Sequence, residues 1–109
     1  MRINIKPLSV NSCFQGRRFK NNAYREYERQ LLKLLPNNYK VPLKPLIITL
    51  KFGFSSRLAD WDNPIKPFQD ILQKKYKFND SLVYKAIVEK EIVKKGSEYI
   101  EFNIELYEK

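Results

Sequence analysis

Apolar and polar positions change rhythm several times along this chain, and each rhythm predicts an element. Met1, Ile3 and Ile5 alternate with Arg2, Asn4 and Lys6, the two-residue period of a short strand. Pro7 to Gly16 keeps no period and reads as a loop. Asn21 or Asn22 then suits the cap of a helix running to about Leu35, in which Tyr24, Tyr27, Leu31 and Leu34 or Leu35 share one face. Arg25, Arg29 and Lys33 recur every four residues on another face, Pro36 stops the helix and Asn37-Asn38 turns the chain. Leu46 to Phe54 is almost continuously apolar, which predicts a strand in the middle of a sheet, buried on both faces. Asn63-Pro64 marks a second helix start, with Asn63 as cap and Pro64 at the first position, and Ile65, Phe68, Ile71 and Leu72 form its apolar stripe. Pro67 lacks an N–H and predicts an irregular first turn. Val83 to Val93 and Glu98 to Tyr107 read as strands around a Lys95-Gly96-Ser97 turn, the second with one core face and one wet face. The order is β-α-β-α-β-β. It predicts a single α+β domain over residues 1–109, a mixed sheet with two helices, and no internal repeat or linker.

Composition narrows the chemistry. At 109 residues, 43% hydrophobic and 14% aromatic, the chain supports one core. No apolar run approaches membrane-spanning length, so no membrane partner is expected. The single cysteine, Cys13, cannot make an internal disulfide, and the absence of His excludes zinc sites built from Cys and His. A reducing, cytoplasmic compartment is the expectation. Net charge is +9, and it is unevenly spread: residues 1–59 carry 12 Lys and Arg against two acids, whereas residues 60–109 carry nine against ten. Such a field draws in polyanions.

All four aspartates, Asp60, Asp62, Asp70 and Asp80, fall in one short stretch. Like charges so close in sequence call for a cation or a Lys or Arg between them. If the chain before the helix is extended, Asp60 and Asp62 point to one side. On the helix, Lys66 and Asp70 lie one turn apart. Asp80 precedes the next strand, and in a β-α-β unit its loop can return to the same edge. Oxygen-only sites suit hard cations such as magnesium, which takes a few carboxylates, water and phosphate oxygens. A calcium loop of the EF-hand type fails here: Pro64 stands at the fifth position, Ile65 at the glycine and Ile71 at the closing glutamate.

The string Asp60-x-Asp62-Asn63-x-x-Lys66-x-x-x-Asp70, followed by Asn79-Asp80-x-x-Val83, closely resembles the signature of RusA-like Holliday junction resolvases. Pro7-Leu8-Ser9-Val10-Asn11, with Arg17-Arg18 soon after, is similar to that family's N-terminal loop and basic segment. The resemblance implies a homodimer that resolves four-way junctions and related branched DNA by paired phosphodiester hydrolysis, in recombination and repair. It implies Asp60, Asp62 and Asp80 as ligands of Mg2+ or Mn2+ and, with Lys66 as the essential lysine, as the catalytic set. Asp70, Asn63 and Asn79 are supporting residues, and Asn11, Phe14, Arg17, Arg18, Lys20 and Arg57 are the expected DNA contacts. It also implies a bacterial or phage origin. The chain departs from the family pattern at Asn79, where an aspartate is usual, and lacks the usual glycine before that pair, in the Tyr76-Lys77-Phe78 region. The alternative function is a non-catalytic basic DNA-binding protein that retains the resolvase fold.

Overall fold

The computed structural model describes residues 1–12, 14, 15 and 19–108, with the side chains of 1–11 and 21–108. Its longest strand, β4 (Leu46–Phe54), runs through the middle of a four-stranded mixed sheet. One side of β4 pairs in parallel with β5 (Val83–Ile92); the other pairs antiparallel with β6 (Tyr99–Leu106), which in turn pairs with the short β1 (Arg2–Ile3). A two-stranded antiparallel ladder, β2 (Phe14–Gln15) with β3 (Phe19–Lys20), stands apart from the sheet. It adds two short strands to the β-α-β-α-β-β order, inside and just after the stretch that reads as a loop. The two helices are α1 (Asn22–Leu34) and α2 (Ile65–Tyr76). The architecture is a single compact α+β domain, as the sequence pattern predicts.

Local chemistry explains the helix ends. Asn21 caps α1, its side-chain oxygen accepting from the Tyr24 N–H at 3.0 Å. Pro64 precedes α2, and Pro67 falls at the third helical position, where the N–H has no intrahelical acceptor. The predicted irregularity at Pro67 is therefore absent; the proline removes a donor that the helix does not use. At the other end Lys77 adopts the left-handed conformation (φ 58°, ψ 46°) usually given to glycine, and its N–H donates to the Gln73 carbonyl.

One core joins the apolar faces of both helices to one face of the sheet. Tyr24, Tyr27 and Leu31 of α1, and Phe68, Ile71 and Leu72 of α2, meet Leu46, Ile48, Leu50 and Phe52 of β4 and Ile100 and Phe102 of β6. Phe68 is edge-on to both Phe52 and Phe102, with centroids 6.3 and 5.8 Å apart. The helices are tied directly as well: Lys75 donates to the Leu32 carbonyl and to Asn37, and the Tyr76 hydroxyl to the Pro36 carbonyl at 2.8 Å. Burial there pushes the Tyr76 phenol up to about 12.

Two expectations about the sheet are corrected. β4 is buried on one face only; Ile47, Thr49 and Lys51 are half-exposed. The uncovered face carries polar ladders, Arg2 with Glu101 at 3.1 Å and Lys51 with Glu89 at 3.4 Å. The β5 and β6 strands do not form a hairpin around Gly96. They flank β4, so the connection passes the end of that strand, where the Val93 N–H donates to the Phe54 carbonyl at 2.7 Å.

On the uncovered face Tyr99 is nonetheless buried, because its ring lies over Gly53, the residue opposite it in the ladder. Its hydroxyl donates to Glu91 at 2.6 Å, on the far side of β4, and holds that carboxyl below its ordinary value. A Cβ on Gly53 would stand 2.4 Å from the ring. Gly53→Ala is therefore expected to destabilise the protein by about 1–3 kcal/mol in urea unfolding. In a Tyr99→Ala background the same change should cost much less, since the obstructing ring is gone.

Candidate functional site

Between Phe54 and Ile65 the chain leaves the end of β4 and climbs onto the sheet as α2. Asp60 and Asp62, both exposed, lie on this passage. The segment is not extended there: residues 61–64 form a turn that feeds the helix, with the Ile65 N–H bonded to the Asp62 carbonyl at 3.1 Å, so Asp60 and Asp62 do not share a side by strand geometry. Asn63 does not cap the helix with its side chain; its amide reaches back to Asp60 Oδ2 at 3.2 Å. The side chain expected to cap the helix end thus binds an aspartate instead.

Lys66, Asp70 and Asp80 form a second group along the flank of α2. Lys66 Nζ lies 3.0 Å from Asp70 Oδ1, one turn along the helix. Asp70, by hydrogen bond and charge, raises the lysine above its ordinary value, and the charge of Asp80 adds to that pull. Asp80 is brought back by two glutamines: its N–H donates to Gln73 Oε1 at 2.8 Å, and Gln69 Nε2 donates to its carboxylate at 3.4 Å. Gln73 also reaches Asp70 at 3.4 Å. Asn79 points its oxygen at the Ser81 N–H, 2.9 Å away, capping the short 3-10 turn Asp80–Leu82. The left-handed Lys77 makes the reversal that returns the chain to the helix flank.

The N-terminal loop joins the first group. The Val10 N–H donates to the Asn63 carbonyl at 2.8 Å, which sets exposed Asn11 beside the aspartate turn. A cleft of about 290 Å³ opens between loop and turn, with Lys6, Ser9, Asp60, Asn63 and Glu98 among its polar lining. Glu98 is held below its ordinary carboxyl value, chiefly by a hydrogen bond with Ser55. Arg57 is exposed on the passage that leads to Asp60. Arg17 and Arg18, and the side chains of Phe14 and Lys20, lie outside the described residues.

A residue that sequence reasoning misses anchors the passage. Lys90 of β5 donates to the backbone carbonyls of Arg57, at 3.0 Å, and of Ala59. Nothing in the spacing of the chain marks it, because its partners are 33 and 31 residues away. Gln69 and Gln73 escape notice for the same reason: they are unremarkable helix residues until the chain folds Asp80 onto them.

The donor chemistry around α2 suits a hard divalent ion, since every candidate ligand is a carboxylate. Among the described residues, no three of Asp, Glu, Cys and His stand together as a group able to hold a metal. Magnesium does not require such a cage, because it commonly takes one or two carboxylates and completes its shell with water and substrate phosphate. Asp60 and Asp62, two exposed carboxylates on the passage into α2, are the residues on which such a smaller donor set would draw.

No protein-family model matches the chain, and no curated protein matches it. The likeness to the resolvases rests on the motif residues themselves. Among the described residues no helix is long and apolar enough to cross a membrane.

The anchoring by Lys90 has a measurable consequence. Lys90→Met keeps most of the aliphatic stem and removes the donor, leaving two carbonyls of the passage without it. Bonds to charged donors contribute about 1.5–3 kcal/mol. The Ala59 amide, bonded to the Ser56 carbonyl at 3.3 Å, should then exchange with deuterium markedly faster, while amides in the middle of β4 keep their protection.

Proposed function

We propose that this protein is a magnesium-dependent endonuclease that cuts branched DNA, four-way junctions included, as a homodimer acting in recombination or repair. The observation that carries the reading is the ion pair of Lys66 with Asp70 at 3.0 Å, on the helix that the Asp60–Asp62 passage leads into, with the charge of Asp80 also acting on the lysine. The basic first half of the chain supports a polyanionic substrate. A bound magnesium ion supplies a polarised phosphate and an activated water; Asp60 and Asp62 are the residues to hold it, with Asp80 the third carboxylate that the motif implies. Lys66 acts on the phosphate, where negative charge grows towards the transition state and a fixed ammonium gains in attraction as it does. Asp70 keeps that ammonium charged and aligned. Gln69 and Gln73 hold Asp80 against the helix.

A four-way junction presents two equivalent strands, and a twofold dimer presents two equivalent sites. β5 forms an outer edge of the sheet, and Tyr84, Ile87 and Ile92 are exposed on it, which supports self-association there.

The absence of a three-carboxylate group among the described residues favours a second reading, a basic protein that binds DNA without cutting it. Labelled four-way junction and linear duplex, each incubated with magnesium, with manganese and with EDTA, separate the two. The expected result is metal-dependent cutting of the junction and little of the duplex. Asp60→Asn and Asp62→Asn should abolish cutting and leave junction binding in place. Lys66→Ala should slow single-turnover cleavage at saturating enzyme by about 10²–10³. Its fold should survive, because an exposed ion pair contributes only about 0–1 kcal/mol. Salt-sensitive junction binding with no cutting in either metal would decide for the binding protein. Failure to bind DNA at low salt would remove both readings.

A further inference from the structure

The side chains on either side of Asp60 are unusual for a turn so firmly held. Leu58 is 91% exposed and Trp61 54%. Solvent-facing turns ordinarily carry small or polar residues. Here the backbone is tied inward at several points: Lys90 binds the carbonyls of Arg57 and Ala59, Ser56 Oγ accepts from the Leu58 N–H at 3.2 Å, and the Asp62 carbonyl accepts from Ile65. An apolar tip on a loose loop can fold back on the surface. A tied one stays presented, and a partner that meets it has less ordering entropy to overcome.

The shape and charge of the site select the occupant. Asp60 lies between the two apolar side chains in sequence, and Arg57 and Asp62 flank them, so charge borders both. A stable protein interface buries roughly 1,200–2,000 Å², whereas a nucleobase needs one ring face. Arg57 stands next to Leu58, in the half of the chain that carries a surplus of ten positive charges, which suits the phosphates on either side of such a base.

We infer that Trp61 and Leu58 form a stacking platform for an unstacked nucleobase, and that this contact favours branched and single-stranded DNA over linear duplex. The inference rests on the branched-DNA reading above and adds to it the element that recognises the branch. Paired bases in linear duplex keep their faces stacked on their neighbours and offer nothing to the platform. Bases at the branch point of an opened junction, where the stack ends, or in a single strand do.

Trp61 is the single tryptophan of the chain, so its emission reports on this turn alone. The experiment titrates the full-length protein, in EDTA to prevent cutting, with a four-way junction, a single strand and a linear duplex of equal length. Tryptophan emission and the anisotropy of labelled DNA are read together. The expected result is quenching by junction and single strand and little change with duplex. Trp61→Ala should lose roughly 5- to 150-fold in junction affinity while duplex affinity holds, and Trp61→Phe should recover most of the loss. Unchanged emission on a junction that anisotropy shows to be bound would overturn the platform and leave the nuclease reading standing. So would an equal loss of junction and duplex affinity in Trp61→Ala. If anisotropy shows no binding of any of the three DNAs, the branched-DNA reading fails and the platform with it.

Discussion

The parallel pairing of β4 with β5 is the constraint from which the site follows. Parallel neighbours cannot be joined by a tight turn; the chain must leave one end of the sheet, cross it and begin again at the other. Residues 55–64 and α2 are that crossing. The departure places Asp60 and Asp62 on an exposed passage at the end of β4, and the helix dipole favours negative charge just ahead of its first turn. The return brings Asp80 back along α2, where Gln69 and Gln73 receive it. Topology thus sets one pair of acids ahead of the helix and brings another acid back along its flank, and local hydrogen bonds set their final positions.

The same strand explains why one face of the sheet is dry and the other wet. Leu46, Ile48, Leu50 and Phe52 are buried beneath the helices. Across the sheet, charges and hydroxyls are matched strand to strand, with Arg2 and Glu101 paired and Tyr99 reaching over Gly53 to Glu91. Arg2 also lies over the Tyr99 ring, 3.9 Å from its centroid. An uncovered sheet face stays ordered here through cross-strand pairs rather than through a second layer of helices.

What the chain discloses before folding follows from how far each interaction reaches. The Asn21 cap, the apolar stripe of α1 and the alternation of β6 are settled within a few residues, and all three are legible. The Asp-x-Asp-Asn and Lys-x-x-x-Asp spacing is legible for the same reason, since it places the acids and the lysine around the start of one helix. The position of β6 on the far side of β4 is not, because a glycine-bearing connection of six residues reads like a hairpin whether or not the strands it joins are neighbours. The half-exposed face of β4 is hidden as well: Ile47 and Thr49 are as apolar or β-branched as a buried position, and only the absence of a covering layer there makes them wet. Lys90 and the two glutamines act across sequence separations that no periodicity records.

The electrostatics of the aspartates bear on whether the site binds or cuts. Asp70 and Asp80 are answered by protein donors, an ammonium and two amides. Asp60 is met by the neutral amide of Asn63, and both it and Asp62 face solvent. A phosphate arriving next to two such carboxylates is repelled: at 4 Å each pair of unit charges costs about 1 kcal/mol even in water and about 4 kcal/mol near a protein surface. In a protein whose only task is to hold DNA, that repulsion is a pure loss, and a neutral residue at either position removes it. In the proposed nuclease a divalent cation held by these carboxylates would reverse that repulsion, and the two exposed aspartates on a passage anchored by Lys90, in a chain otherwise rich in positive charge, are the residues that would hold it.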